Sequence, residues 1–118
     1  MNSDRPLQVV FYRLAGGREP VRDWLKRLSR SERKSIGEDI KTVQFGWPLG
    51  MPLVRQLESD LWEVRSNLKN RTARVIFTFA EDQIVLLHGF IKKTQKTPKS
   101  DLALGRRRRT QLEQGYEK

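Results

Sequence analysis

The chain has no cysteine and a single histidine among its 118 residues. The first absence excludes disulfides, thiolate metal sites and cysteine nucleophiles. The second leaves His88 without the companions of the usual zinc site, which needs three or four ligands. Long apolar runs are also missing. The N-terminal one covers only Leu7 to Tyr12, is broken by Gln8 and has charge on both sides. It is too short for a secretory signal or for the roughly 20 residues that cross a bilayer. No long basic amphipathic helix marks a membrane-surface protein. The expectation is a cytoplasmic protein with no membrane partner. Acids are scarce relative to bases: 14 Asp and Glu face 24 Lys and Arg, a net charge of +10. Such an excess points to a polyanionic partner, or to nothing more than a well-solvated basic surface. At 36% hydrophobic and 32% charged, the composition is that of a folding chain, and its length suits one domain over 1–118.

Leu7 to Leu14 reads as a strand, since Val9, Val10, Phe11 and Tyr12 favour extended backbone. Gly16-Gly17 ends it. Glu19 to Leu28 reads as a helix, with Pro20 suited to the first turn and Val21, Trp24, Leu25 and Leu28 on one stripe. Ser29 and Glu32 form a capping-box pattern for a second helix, whose apolar face carries Ile36, Ile40 and Val43. Two prolines and two glycines mark Gly46 to Asp60 as a loop. Leu61 to Asn67, Thr72 to Ala80 and Gln83 to Lys92 then read as strands joined by short polar turns, hence an antiparallel meander. A C-terminal helix stays open. Thr97 as N-cap and Pro98 in the first turn would start it, while Gly105 and the run Arg106 to Arg109 count against it. This order implies an α+β fold: a small antiparallel-rich sheet with two N-terminal helices on one face.

Alternation along the strands sorts the side chains. Trp62, Val64, Ala73, Val75, Phe77 and Phe79 form apolar sets that must meet the helices. Glu63, Arg65 and Arg74 then lie on the opposite, open face. In the last strand Val85, Leu87, Gly89 and Ile91 form the more apolar set, so His88, Phe90 and Lys92 join the open face. Guanidinium forks bind phosphate oxygens bidentately, and lysines add point charge. An open basic sheet face can therefore cradle single-stranded RNA or DNA. The bland readings stand beside this one. An Arg near a Glu on a strand ordinarily forms a solvated pair worth little. His88 alone reads as structural, Trp24 and Trp62 as core. Phe90 fits either a base stack or the core, and the four arginines read as a solvated basic segment.

Leu61-Trp62-Glu63-Val64-Arg65, Arg74-Val75-Ile76-Phe77, and the run Leu-Leu-His-Gly-Phe-Ile-Lys-Lys-Thr-Gln-Lys-Thr-Pro from Leu86 to Pro98 carry a family likeness. Through them the chain resembles the phage-derived, HigB-type toxins of the RelE superfamily over nearly its whole length. The resemblance implies a RelE-like fold and the toxin of a type II toxin–antitoxin system. Such toxins enter the ribosomal A site and cleave the mRNA being translated, without a cofactor. A cognate helix-turn-helix antitoxin (HigA-like) neutralises them, and operator DNA is reached only through that complex. Carried over, Arg65, Arg74, Lys92 and Lys93 are the catalytic positions. Arg74 is the arginine expected on the scissile phosphate. Glu63, His88, Phe90, Gln95 and Lys96 are the accompanying RNA contacts.

Metal-free RNA cleavage can use the substrate's 2′-hydroxyl as nucleophile. It then needs a base, charge stabilisation at phosphorus and an acid for the leaving oxygen. Arg65 and Arg74 suit the second task. Lys92 or Lys93 would take an acid–base role if neighbouring cations lower its pKa. Two other classes fit the same residues: a non-catalytic basic nucleic-acid-binding protein, and a degenerate toxin kept as an antitoxin-binding partner.

Overall fold

The computed structural model describes residues 7–93 and 96–115. In chain order its elements are β1 (Gln8–Phe11), α1 (Pro20–Lys26), α2 (Arg30–Gly46), β2 (Val54–Glu58), β3 (Leu61–Asn67), β4 (Thr72–Ala80), β5 (Gln83–Lys92) and α3 (Lys99–Glu113). Among the described residues the strands form a single five-stranded sheet, ordered β1-β5-β4-β3-β2. β2 to β5 pair antiparallel in sequence, and β1 joins β5 in parallel. The expected α+β architecture is present and compatible with a RelE-like fold. No described helix is long and apolar enough to cross a membrane.

The helical stripes pack as their spacing requires. Val21 of α1 and Ile36, Ile40 and Val43 of α2 are buried against Val64, Ala73, Val75 and Phe77 of the sheet. Full burial of each valine, isoleucine or phenylalanine among them contributes about 1.5–3 kcal/mol. The capping box forms: Ser29 Oγ accepts from the Glu32 N–H, and Glu32 accepts from the Ser29 N–H, both at 3.2 Å. Trp62 and Trp24 are partly buried against this core, as read from the sequence. Trp62 sits among Trp47, Phe77 and Phe79, while the Trp24 ring lies over Gly89. A Cβ at Gly89 would stand 2.4 Å from that ring, so only glycine lets α1 approach β5 this closely.

Three expectations need correction. The segment from Gly46 to Asp60 is not all loop. Its prolines and glycines end at Pro52, and Val54–Glu58 pairs with β3 as an edge strand. The second sheet face is not open over its full width. α3 forms and lies across it, covering a second core of Tyr12, Leu61, Ile76, Val85, Leu87 and Phe90, with Leu102 and Leu112 packed on top. Gly105 does not break α3 but brings it down on the sheet; a Cβ there would meet Ile76 Cγ2 at 3.1 Å. Finally, Val85 and Leu87 face α3, not α1 and α2. Ile76 pairs with His88 but Phe77 with Leu86, so Leu87 is an extra residue in β5. That bulge reverses the alternation, a standard consequence of one inserted residue. Beyond it Gly89 and Ile91 face α1 and α2, while His88 and Phe90 face α3, as expected.

Candidate nucleic-acid interface

Register sets the site. Arg55, Glu63, Ile76 and His88 pair successively across β2, β3, β4 and β5; Arg65, Arg74 and Phe90 form the neighbouring row. Lys92 pairs with Thr72 in the row beyond. Alternation then places Arg55, Glu63, Arg65, Arg74 and Lys92 on one face. Their mutual charge effects follow that grid.

Glu63 and Arg74 are diagonal neighbours and form a buried ion pair, with residue exposures of 0% and 2%. Arg74 Nη1 donates to Glu63 Oε1. The other carboxylate oxygen accepts from Thr97 Oγ1 at 2.9 Å. Thr97 therefore does not cap α3 with its side chain; Pro98 is the residue at the N-cap. It instead ties the β5–α3 connection to the middle of the sheet. Arg74 Nε is buried with no hydrogen-bond partner among the described residues. Burial pulls Arg74 below the usual arginine range, Glu63 opposes this, and Arg65 and Arg55 add to it.

Arg65 is half-buried and Lys92 likewise; Arg55 and Lys93 are exposed. Arg65 Nη1 lies 3.1 Å from Met51 Sδ, so its long side chain is laid along the loop before β2. Lys92 is held below the usual lysine range. Partial burial is the largest cause, then the charges of Arg74 and Arg65; Glu63 opposes and Arg55 adds. A lysine shifted this way gives up its proton more readily than a surface lysine.

The remaining expected residues are dispersed. Phe90 is only 8% exposed and its ring stacks on His88, centroids 5.5 Å apart. It is a core residue beneath α3 as the molecule stands. His88 Nε2 lies 2.6 Å from Asp101 Oδ1, an anchor for α3. Burial lowers the His88 pKa; Asp101 opposes and Arg108 reinforces this. Lys96 is exposed. Gln95 lies outside the described residues. The arginine run is largely engaged internally. Arg106 and Arg109 pair with Glu58, and Arg108 donates to Leu87 O at 2.7 Å.

Arg55 is not among the residues expected from the sequence, and Thr97 is expected there only as a helix cap, not as a partner of Glu63. Arg55 was hidden by reading its segment as loop; the alternation Val54-Arg55 was the available signal. For Thr97 there was none, because its partner is 34 residues away.

The arrangement offers a buried, carboxylate-organised arginine bordered by three more accessible cations on a face half covered by a helix. It suits anion binding and charge stabilisation at a phosphate. Among curated proteins none matches the chain. The profile of the family described as Phage derived protein Gp49-like (DUF891) matches residues 23–110, from α1 through most of α3 and across every residue of the cluster. The chain therefore belongs to the Gp49-like family of phage-derived proteins, a RelE/HigB-like toxin family.

Proposed function

We propose that the protein is the toxin of a type II toxin–antitoxin system and cleaves mRNA on the translating ribosome. The observation that carries this reading is the grouping of Arg55, Arg65 and Lys92 around the buried Glu63–Arg74 pair, in a chain of this family. Arg65 and Lys92 meet the scissile phosphate directly. Arg74, held by Glu63, contributes its positive charge from just beneath that face, with its Nε free of any hydrogen-bond partner among the described residues. Together they stabilise the charge that grows on the phosphate as the 2′-hydroxyl attacks. Lys92, with its lowered pKa, is the acid–base group best placed on this face, and Lys93 beside it adds charge. The exposed Lys96 extends the basic contact along the RNA. No step calls for a metal or cofactor. The ribosomal A site supplies the mRNA, and a helix-turn-helix antitoxin blocks the toxin and carries the complex to operator DNA.

Controlled induction in a bacterial host tests this. The intact protein should arrest growth. Lys92→Ala and Arg65→Ala should fold and lose the arrest, and co-expression of a small helix-turn-helix protein encoded next to the gene should relieve it. Arg74→Ala is a poorer probe, because it strands Glu63 in the core. Arrest that persists in folded Lys92→Ala and Arg65→Ala proteins would remove this face from the chemistry. Binding to RNA with no arrest and no cleavage would favour the non-catalytic reading instead.

A further inference from the structure

β1 covers β5 only as far as Leu86, and beyond that point α1 and α3 both pack on β5. Between them the fold leaves two adjoining concavities of about 230 and 150 Å³ that share Pro20, Arg27 and Arg108. Arg18 and Asp23 line the larger; Trp24, His88 and Leu104 line the smaller.

Charge is out of balance in this groove. Its three arginines face one lining carboxylate, Asp23, which Arg18 already holds at 3.2 Å. The exposed Arg27 guanidinium has no hydrogen bond or ion pair among the described residues. Arg108 is half-buried. It gives one N–H to Leu87 O and lies over the Tyr12 ring, 5.8 Å from its centroid, and no described carboxylate pairs with it. A guanidinium carries five N–H donors, and a charge taken partly out of water is ordinarily paired. Here the fold supplies the cations and the cavity but not the anion.

We propose that this groove between α1 and α3 binds a phosphate group of single-stranded RNA. Arg27 at the C-terminal cap of α1 and Arg108 of α3 both line the groove. A phosphodiester flanked by ribose offers oxygens to more than one fork, whereas one fork already fills a carboxylate. Pro20, Trp24 and Leu104 give the groove an apolar wall against which a sugar or base can pack. The volume holds about one nucleotide unit, and the concave shape does not fit a rigid duplex. The site is distinct from the Arg65–Lys92 cluster, since none of Arg55, Glu63, Arg65, Arg74 or Lys92 lines the groove.

The full-length, isotope-labelled protein tests this by titration with a six-nucleotide oligouridylate, inorganic phosphate or hexaglutamate. The readouts are the Gly89 amide and the Trp24 indole N–H. The oligonucleotide should shift both saturably, also in Lys92→Ala protein, which separates this site from the cleavage face. Arg27→Glu, at an exposed residue that holds nothing in the fold, should melt like the parent. It should bind the oligonucleotide about tenfold more weakly and with a salt slope smaller by about one. Arg108→Lys, which keeps the charge but loses the fork, should also bind more weakly. Unchanged binding by Arg27→Glu overturns the proposal. So does inorganic phosphate binding as tightly as the oligonucleotide, which would make this a free-phosphate site. Tighter binding of hexaglutamate at the same two reporters would assign the groove to an acidic protein segment and overturn it equally.

Discussion

The Glu63 carboxylate is fully buried and holds donors from two elements, Arg74 of β4 and Thr97 ahead of α3. Removing one member of a buried pair leaves the other uncompensated, which typically costs about 3–5 kcal/mol. Glu63→Ala should lose about that much in urea unfolding, and adding Arg74→Met should restore much of it. A single variant within about 1 kcal/mol of the parent would show the pair to be better solvated than its geometry implies. His88 gives a second residue-scale prediction. Burial holds its folded pKa below the ordinary 6.5. Its neutral form is therefore favoured by folding, and its contribution is complete above 6.5. As pH falls below that value the unfolded chain binds the proton first, so stability declines until the folded pKa is passed. Urea midpoints between about pH 7.5 and 5.5 should fall for the parent and fall less for His88→Gln. Equal declines would place the effect in the carboxylates. Which face Glu63, Arg74 and His88 share was legible from alternation alone. Their burial was not, because it depends on α3 and on Thr97, contacts that no local pattern announces.

α3 and β2 are the elements where reading from sequence was hardest. In each, local signals pointed away from what long-range packing imposed. β2 follows Gly50 and Pro52 closely, and on the α2 side it offers one apolar residue, Val54, opposite Val64, and the polar Gln56 opposite Trp62. For α3, like charges and a glycine argue against a helix. Glu58 nonetheless pairs with both Arg106 and Arg109 and offsets part of their repulsion, partial burial of Leu102 and Leu112 anchors the helix, and Gly105 allows its close approach. The chain truncated after Pro98 should therefore expose Leu61, Ile76, Val85 and Leu87. We expect strong binding of a hydrophobic dye and loss of the cooperative thermal transition. A truncated chain that melts like the parent would show that α3 is an appendage. The exposed ends of the Glu58 pairs are worth less: Glu58→Gln should change stability by about 1 kcal/mol or less.

At the scale of the molecule, the 24 Lys and Arg that leave a net charge of +10 divide into groups with different surroundings. Part is consumed inside the fold by Glu32, Glu58 and Glu63. Part surrounds the Glu63–Arg74 pair as Arg55, Arg65 and Lys92, and part lies unpaired at Arg27 and Arg108 between α1 and α3. The division explains why composition pointed only to some polyanion, whereas strand register identifies which cations lie together. We expect the Arg65–Lys92 face to cleave mRNA during translation. Mapping mRNA 5′ ends after induction tests it most directly, with translation running and with initiation blocked. New ends should appear inside reading frames only while translation runs, and none should appear with Lys92→Ala. Identical new ends in the absence of translation, or no new ends from a folded protein that still arrests growth, would contradict it.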